Sequence, residues 1–211
     1  MNQDENDYLV LNAQDPALKG LAQEANAQAV YFYKTGDLNP NQAAVIKVAS
    51  LLNIDKELCL EVFRNFKGVE HRLEYVVDFS GITFINDSKS TTVDSTIWAL
   101  NNISRPILLI AGGKDKGSDY STALGQLHGK IKEVILIGQA KEKIKKVFIG
   151  HLPITEASTL EEAVRISFAK AQSGDCVLFS PMCSSFDMFS DYEERGRVFK
   201  KAVLNLAKYG T

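Results

Sequence analysis

A chain of 211 residues, 45% of them hydrophobic, has material for one full domain and a smaller piece. Its net charge of −2 gives no bulk attraction to nucleic acid or to an anionic membrane, and no apolar run approaches the roughly 20 residues that span a bilayer. The acidic, polar start MNQDENDYLV is not a secretion signal, and three dispersed cysteines, Cys59, Cys176 and Cys183, form no zinc or disulfide pattern, so the reading is a protein of the reducing cytoplasm. His71, His128 and His151 are scattered and make no metal motif.

Short apolar runs mark the strands: YLVLN (8–12), AVYFY (29–33), LEYVVDF (73–79), ITFIND (82–87), PILLIAGG (106–113), EVILIG (133–138) and CVLFSP (176–181). Several are apolar on successive residues, as in parallel strands buried on both faces. The first 70 residues hold two such strands and then two helical patterns, about 41–52 and 55–66, with a turn-rich stretch YKTGDLNPNQ (33–42) resembling a shortened connection. From Phe84 onward strand and helix alternate. Ser158 and Glu161 predict a capping box at the head of one helix, whose apolar face is Leu160, Ala163, Val164, Phe168 and Ala171 and which Gly174 closes. Asp191 and Glu194 repeat the pattern before Val198, Phe199, Ala202 and Leu206. The expected fold is α/β: a doubly wound, mostly parallel, Rossmann-like sheet over residues 71–211, preceded by a partial α/β piece over residues 1–70.

Three segments at strand ends carry chemistry, where open α/β sheets bind ligands. INDSKSTTVDST (85–96) crowds Asp87, Ser88, Lys89, Ser90, Thr91 and Thr92 at a helix start, a place suited to an anion; N-capping by a single hydroxyl explains such residues about as well. AGGKDKGSD (111–119) has glycines that free the backbone and two lysines, Lys114 and Lys116, but is neither a dinucleotide fingerprint nor a phosphate loop. FSPMCSSFDMFSDYEERG (179–196) offers Ser180, Ser184 and Ser185, with no partner histidine or nucleophile elbow to make one of them a nucleophile. Cys183 reads as a small buried thiol. Together the segments would suit a small dicarboxylate and a phosphate.

Those segments, in this order, resemble the C-terminal domain of the Mur ligase family. The resemblance runs through HRLEYV (71–76), INDSKST (85–91), GGKDKG (112–117) and SPMCSSFDMF (180–189), with NAQDP (12–16) similar to a further family motif. INDSKST and SPMCSSFDMF are those of the D-glutamate-adding branch, and the DNPR signature of the lysine-adding branch is absent. The resemblance implies an ATP- and Mg2+-dependent ligase that activates UDP-N-acetylmuramoyl-L-alanine as an acyl phosphate, which the amine of D-glutamate attacks. It implies that Lys116, Thr91 and Ser185 hold the D-glutamate carboxylates, that Phe186 offers a backbone N–H, and that Tyr192 is an aromatic of the same pocket. It assigns Arg72 and Asp87 to nucleotide contact and Lys89 to the reaction centre; Asn41 falls where the family has an adenine-contacting asparagine. The family's GK[ST] phosphate loop, magnesium-binding acid, modified lysine and uridine-binding domain have no match in this sequence. The chain therefore reads as a C-terminal portion preceded by a trimmed tail of the central ATPase domain, monomeric, inactive alone, and binding no cofactor by itself. The competing reading is a non-catalytic α/β module that keeps an acidic-ligand pocket. SPMCSSFDMF speaks against a folylpolyglutamate synthase.

Overall fold

The computed structural model describes residues 3–18, 20–127 and 129–209, so His128 lies outside the described residues. The chain forms two compact units, Met1–Lys67 and Gly68–Thr211.

In the first unit, β1 (Tyr8–Asn12) pairs in parallel with β2 (Gln28–Phe32), with Tyr8 opposite Gln28 and Asn12 opposite Phe32. The short α1 (Leu21–Glu24) connects them. Two longer helices follow, α2 (Pro40–Leu51) and α3 (Lys56–Asn65). Pro40 sits where its missing N–H costs nothing, and Asn39 and Gln42 cap the helix reciprocally at 3.0 and 2.9 Å. Asp55 caps α3 through Glu57 N at 2.9 Å. Few side chains of this unit are buried: Leu11, Ala27, Ala43, Ala49 and Cys59.

The second unit is built on a six-stranded sheet. In chain order its elements are β3 (Glu74–Phe79), β4 (Ile82–Asn86), α4 (Val93–Asn101), β5 (Ile107–Gly112), the short α5 (Leu124–Leu127), β6 (Ile131–Ile137), α6 (Lys141–Phe148), β7 (Ile154–Glu156), α7 (Leu160–Lys170), β8 (Cys176–Phe179) and α8 (Tyr192–Tyr209). The sheet order is β3-β4-β8-β5-β6-β7. Only β3 runs against its neighbour, joined to β4 by a tight turn in which Ser80 and Gly81 both have positive φ. Side chains of β5 alternate between two cores. Ile107, Leu109 and Ala111 join α4 and α6 on one face, and Leu108 and Ile110 join α7 and α8 on the other. The sheet is thus doubly wound and mostly parallel, as expected from its continuous apolar runs.

Two local expectations shift. The strand β7 was not among the predicted ones: three half-buried residues at a sheet edge carry too little apolar signal. The capping box of α7 is one residue later than its sequence pattern suggests. Thr159 caps Glu162 N at 3.1 Å, and the Glu162 carboxylate returns to Ser158 N at 2.7 Å. For α8, Asp191 accepts from Glu194 N at 2.6 Å, while the Glu194 carboxylate accepts from Ser190 N at 2.7 Å. Because the second unit has both its cores within itself, residues 68–211 made alone should unfold in one cooperative step. A polypeptide of those residues lacking near-ultraviolet dichroism would contradict this.

Candidate functional site

The β4, β8 and β5 strands are neighbours, and all three chemistry-bearing segments leave from their carboxyl ends. Backbone bonds lock the three exits together. Asp87 N donates to Phe179 O at 2.8 Å, Gly112 N to Pro181 O at 2.8 Å, Met182 N to Ser90 O at 3.1 Å and Lys114 N to Ser184 O at 2.9 Å.

After β4, Asp87 is nearly inaccessible and uses both oxygens: Oδ1 accepts from Leu73 N at 3.1 Å and Oδ2 from Ser180 Oγ at 2.7 Å. Burial pushes its carboxyl above the ordinary carboxylate range, while its hydrogen bonds and the nearby exposed Arg72 pull the other way. The sign follows: with the folded pKa raised, the carboxyl's contribution to stability is fully present below the unfolded pKa and is lost as pH rises through the folded one. Asp87→Asn should therefore leave the second unit as stable at neutral pH, or more so, and flatten its pH dependence on the acid side. Urea unfolding at a series of pH values checks this; a marked loss of stability at neutral pH would show that the carboxylate's bonds outweigh its desolvation.

Lys89 donates from Nζ to the Tyr192 hydroxyl at 3.0 Å and lies 4.9 Å from that ring's centroid. The Tyr192 hydroxyl in turn donates to Glu193 Oε1 at 3.1 Å. Lys89 N also donates to His71 O at 3.0 Å. His71 is buried, and desolvation holds it below its ordinary pKa. The cap of α4 is Thr92, paired with Ser95, so capping does not occupy Thr91.

After β5, Gly112 and Gly113 have φ of 114° and 138°, and a Cβ on either would strike the backbone of Ile137 or Ser184. Asp115 pins the turn that follows. It accepts from Gly117 N at 3.1 Å, Tyr120 OH at 2.9 Å and Lys143 Nζ at 2.8 Å, and these bonds, led by Lys143, hold its carboxyl below the usual range. Lys116, at the tip of that turn, is exposed and has no partner for its ammonium among the described residues. After β8, Ser185 is buried and its carbonyl accepts from Met188 N and Phe189 N, while Phe186 is exposed. The Cys183 thiol meets Tyr120 OH at 3.1 Å and burial pushes its pKa up to about 11, which suits a structural thiol.

The arrangement brings Lys89 to Tyr192 and ties Asp87 to Ser180. Thr91, Lys116 and Ser185 stand on three adjacent strand ends without bonding to each other. An open cleft lies beside them, over β5, β6 and β7, lined by Lys114, Gln139, Lys141, Ser158 and Phe186. Of the expected residues only Phe186 lines it. Asn41 belongs to the first unit, exposed in the first turn of α2.

Arg195 was not singled out from the sequence. It is 1% exposed, and its guanidinium donates to Ser88 Oγ at 3.0 Å, Ser88 O at 2.8 Å and Cys183 O at 3.1 Å, 5.7 Å from the Phe179 ring. Burial pulls its pKa down to about 10, so it stays charged at neutral pH. The signal was present: Arg195 lies four residues before Phe199, on the apolar face of α8.

A sequence profile described as "Mur ligase, glutamate ligase domain" matches residues 71–183, more than half of the chain. A protein of Caldanaerobacter subterraneus named UDP-N-acetylmuramoylalanine--D-glutamate ligase is 39% identical over 242 aligned positions, which take in 98% of this chain and 54% of the relative. One of Caldicellulosiruptor bescii with the same name is 46% identical over 172 positions, 81% of this chain and 38% of the relative. The chain spans about half the length, or less, of these relatives. Since 242 positions exceed 211 residues, at least 31 of them face no residue here. Among solved structures, a bifunctional folylpolyglutamate synthase/dihydrofolate synthase of Yersinia pestis, complexed with AMPPNP and Mn ion, superposes with a TM-score of 0.68 at 13% identity, covering 94% of this chain and 53% of that one. The UDP-N-acetylmuramate-alanine ligase of Thermotoga maritima gives 0.58 at 18%, covering 78% and 37%. At such identities these two speak for the fold alone. With its doubly wound sheet, its three strand-end segments and the profile match over them, the chain belongs to the Mur ligase family, through its glutamate ligase domain.

Proposed function

We propose that this chain supplies the amino-acid-binding part of an ATP-dependent ligase that joins D-glutamate to UDP-N-acetylmuramoyl-L-alanine in peptidoglycan synthesis in the cytoplasm. The observation that carries the reading is the convergence of the three segments on adjacent parallel strands, in a chain whose relatives bear that ligase name.

In this reading the unpaired ammonium of Lys116 and the hydroxyls of Thr91 and Ser185 read the two carboxylates of D-glutamate, with the Phe186 N–H and the Tyr192 ring completing the pocket. Fixing the carboxylates aims the amine, which is the entropic part of the catalysis. Lys89, held by Tyr192, sets a positive charge beside the reaction centre, where anionic charge develops. Arg72 and Asp87 contact the nucleotide, and Asn41 the adenine. Bound ATP and Mg2+ supply activation of the acceptor carboxylate. Glu70, His71 and Glu74 present ligand atoms within 4.8 Å of one another, but Lys200 Nζ already stands 2.6 and 2.8 Å from the two carboxylates. A divalent cation there would have to displace an ammonium, so this set does not fit the reaction's Mg2+, which we assign to residues outside this chain. The first unit is read as the tail of the ATPase domain, shortened at residues 33–42, and the whole as monomeric. No described helix is long and apolar enough to cross a membrane.

Titration calorimetry of this chain with D-glutamate, L-glutamate and ATP tests the reading. D-glutamate should bind measurably and more tightly than L-glutamate. With no phosphate loop in the sequence, no ATP hydrolysis should accompany it. Equal binding of the two enantiomers, or ATP turnover by the chain alone, would overturn it.

A further inference from the structure

We propose that Asp187 is a positioning residue of the amino-acid site: its carboxylate, seated on the backbone at the exit of β6, holds the turn that carries the Ser185 hydroxyl and the Phe186 N–H. The role deepens the function proposed above and rests on it for the identity of the ligand; the holding of the turn is read from the chain alone.

Ser185 opens a tight turn in which its carbonyl accepts from Met188 N at 3.1 Å and Phe189 N at 2.9 Å. That turn is anchored on either side of Ser185 and Phe186. Before them, Ser184 is tied to the exit of β5: its carbonyl accepts from Lys114 N at 2.9 Å, and its hydroxyl donates to Lys114 O at 3.3 Å. After them, Asp187 reaches the exit of β6, where Oδ2 accepts from Gln139 N at 2.8 Å. Gly138 makes room for this contact, since a Cβ there would come 2.5 Å from Asp187 Oδ2 and 2.8 Å from Gly113 Cα. Two residues held at both ends by the exits of adjacent strands keep little backbone freedom, and a group fixed before the ligand arrives costs less to order on binding.

A plainly structural role would ask only that Asp187 serve α6. Ala140, at the cap position of that helix, offers no side-chain acceptor, and the Asp187 carboxylate stands at the same end, where negative charge is favoured. The other oxygen shows that more is involved. Oδ1 is buried and meets no donor, the one such side-chain atom among the described residues. A buried acceptor left without a donor costs stability, and capping needs no such burial: Asp55 caps α3 from an exposed position. Burial lowers the pKa of Arg195, and the Asp187 carboxylate is one of the two groups that counter it. The carboxylate is therefore drawn inward by a backbone N–H on one oxygen and by the field of Arg195, and the turn is drawn in with it.

Titration calorimetry of this chain with D- and L-glutamate tests the role in three variants. Lys116 and Thr91 stand on other segments and can meet the carboxylates of either enantiomer, so a loosened turn should lose mainly what tells the two apart. Asp187→Ala is expected to weaken D-glutamate binding by about thirtyfold, the order of one hydrogen bond to a charged group, and L-glutamate binding by about threefold or less. Asp187→Asn keeps an oxygen for Gln139 N and should rescue the preference to within about threefold. Asp187→Glu keeps the charge and the means to cap α6 but sets the carboxylate one methylene further out, and should lose about tenfold of the preference. Amide exchange without ligand reads the turn itself: Met188 and Phe189 should exchange at least about tenfold faster in Asp187→Ala and near the parent rate in Asp187→Asn. A loss shared equally by both enantiomers, or a fall in stoichiometry at unchanged affinity, would reduce Asp187 to the cap of α6 and overturn the proposal. So would a glutamate variant that binds like the parent, or an asparagine variant as weak as the alanine one; these two decide the matter if the alanine variant does not fold. If the parent chain shows no preference for D-glutamate, the proposed function fails and the exchange rates alone decide the turn. Unchanged rates in Asp187→Ala overturn its holding whatever the chain binds.

Discussion

Arg195→Met is expected to destabilise residues 68–211 by about 2–4 kcal/mol. The guanidinium is fully buried and has no carboxylate within ion-pair distance among the described residues; its partners are Ser88 O, Ser88 Oγ and Cys183 O. Removing a buried ion pair for well-packed apolar groups is often harmless, because both charges leave together. Here the acceptors stay. Two backbone carbonyls would be left in a dry interior, each costing about 1–3 kcal/mol, offset in part by relief from burying a cation. Methionine keeps most of the volume, so the loss reports the bonds rather than a cavity. The readout is favourable, because Trp98, the single tryptophan, lies on α4 of the second unit, and its fluorescence under urea follows that unit. A change below about 0.5 kcal/mol, the range of an ordinary surface substitution, would show that the guanidinium does not hold these loops. Arg195 joins the exit of β4 to that of β8 and packs against Gly113 at the exit of β5. D-glutamate affinity should fall with stability, well before the unit unfolds.

The parts legible in the sequence were those that repeat locally. Val177, Leu178 and Phe179, or Ile107 to Ala111, are apolar on every residue because both faces of a parallel sheet are covered, and a run of that kind needs no partner to be recognised. The edge strand Ile154–Glu156 has one covered side and three residues, so it left no such trace. The α7 cap slipped by one because Ser158 and Thr159 are both good caps, and only the backbone decides which hydroxyl meets the third helical N–H. In the site, the segments were legible as residue types and family motifs, but their couplings were not. Lys89 and Tyr192 are 103 residues apart, Ser88 and Arg195 107 apart, and no spacing rule connects them. Arg195 shows the limit most clearly. An arginine on the apolar stripe of a helix is a conflict between local pattern and burial, and such conflicts tend to mark functional or strained places.

Lys116→Ala is expected to weaken D-glutamate binding by about 1.5–3 kcal/mol, the range for a hydrogen bond to a charged group. The structure sets up an internal control. Lys114 and Lys116 sit two residues apart on one turn, both exposed, with the same charge. Their backbones differ: Lys114 is bridged to Ser184 by N–H···O and Oγ–H···O bonds, whereas Lys116 stands at the tip that Asp115 pins from beneath. Lys114 also lines the cleft over β5 to β7, where the other expected residues save Phe186 are absent. A general, screened electrostatic effect would act on both, since they carry the same charge on one turn and the screening length is about 8 Å at physiological salt. A specific charge-assisted bond to a carboxylate would single out Lys116. Calorimetry of Lys116→Ala and Lys114→Ala at low and high salt separates the two. Loss confined to Lys116 and largely retained at high salt is the expected result. Equal losses that fade with salt would reduce the turn to a diffuse positive patch. A loss confined to Lys114 would move the amino-acid site one strand over, into the cleft between β5 and β7.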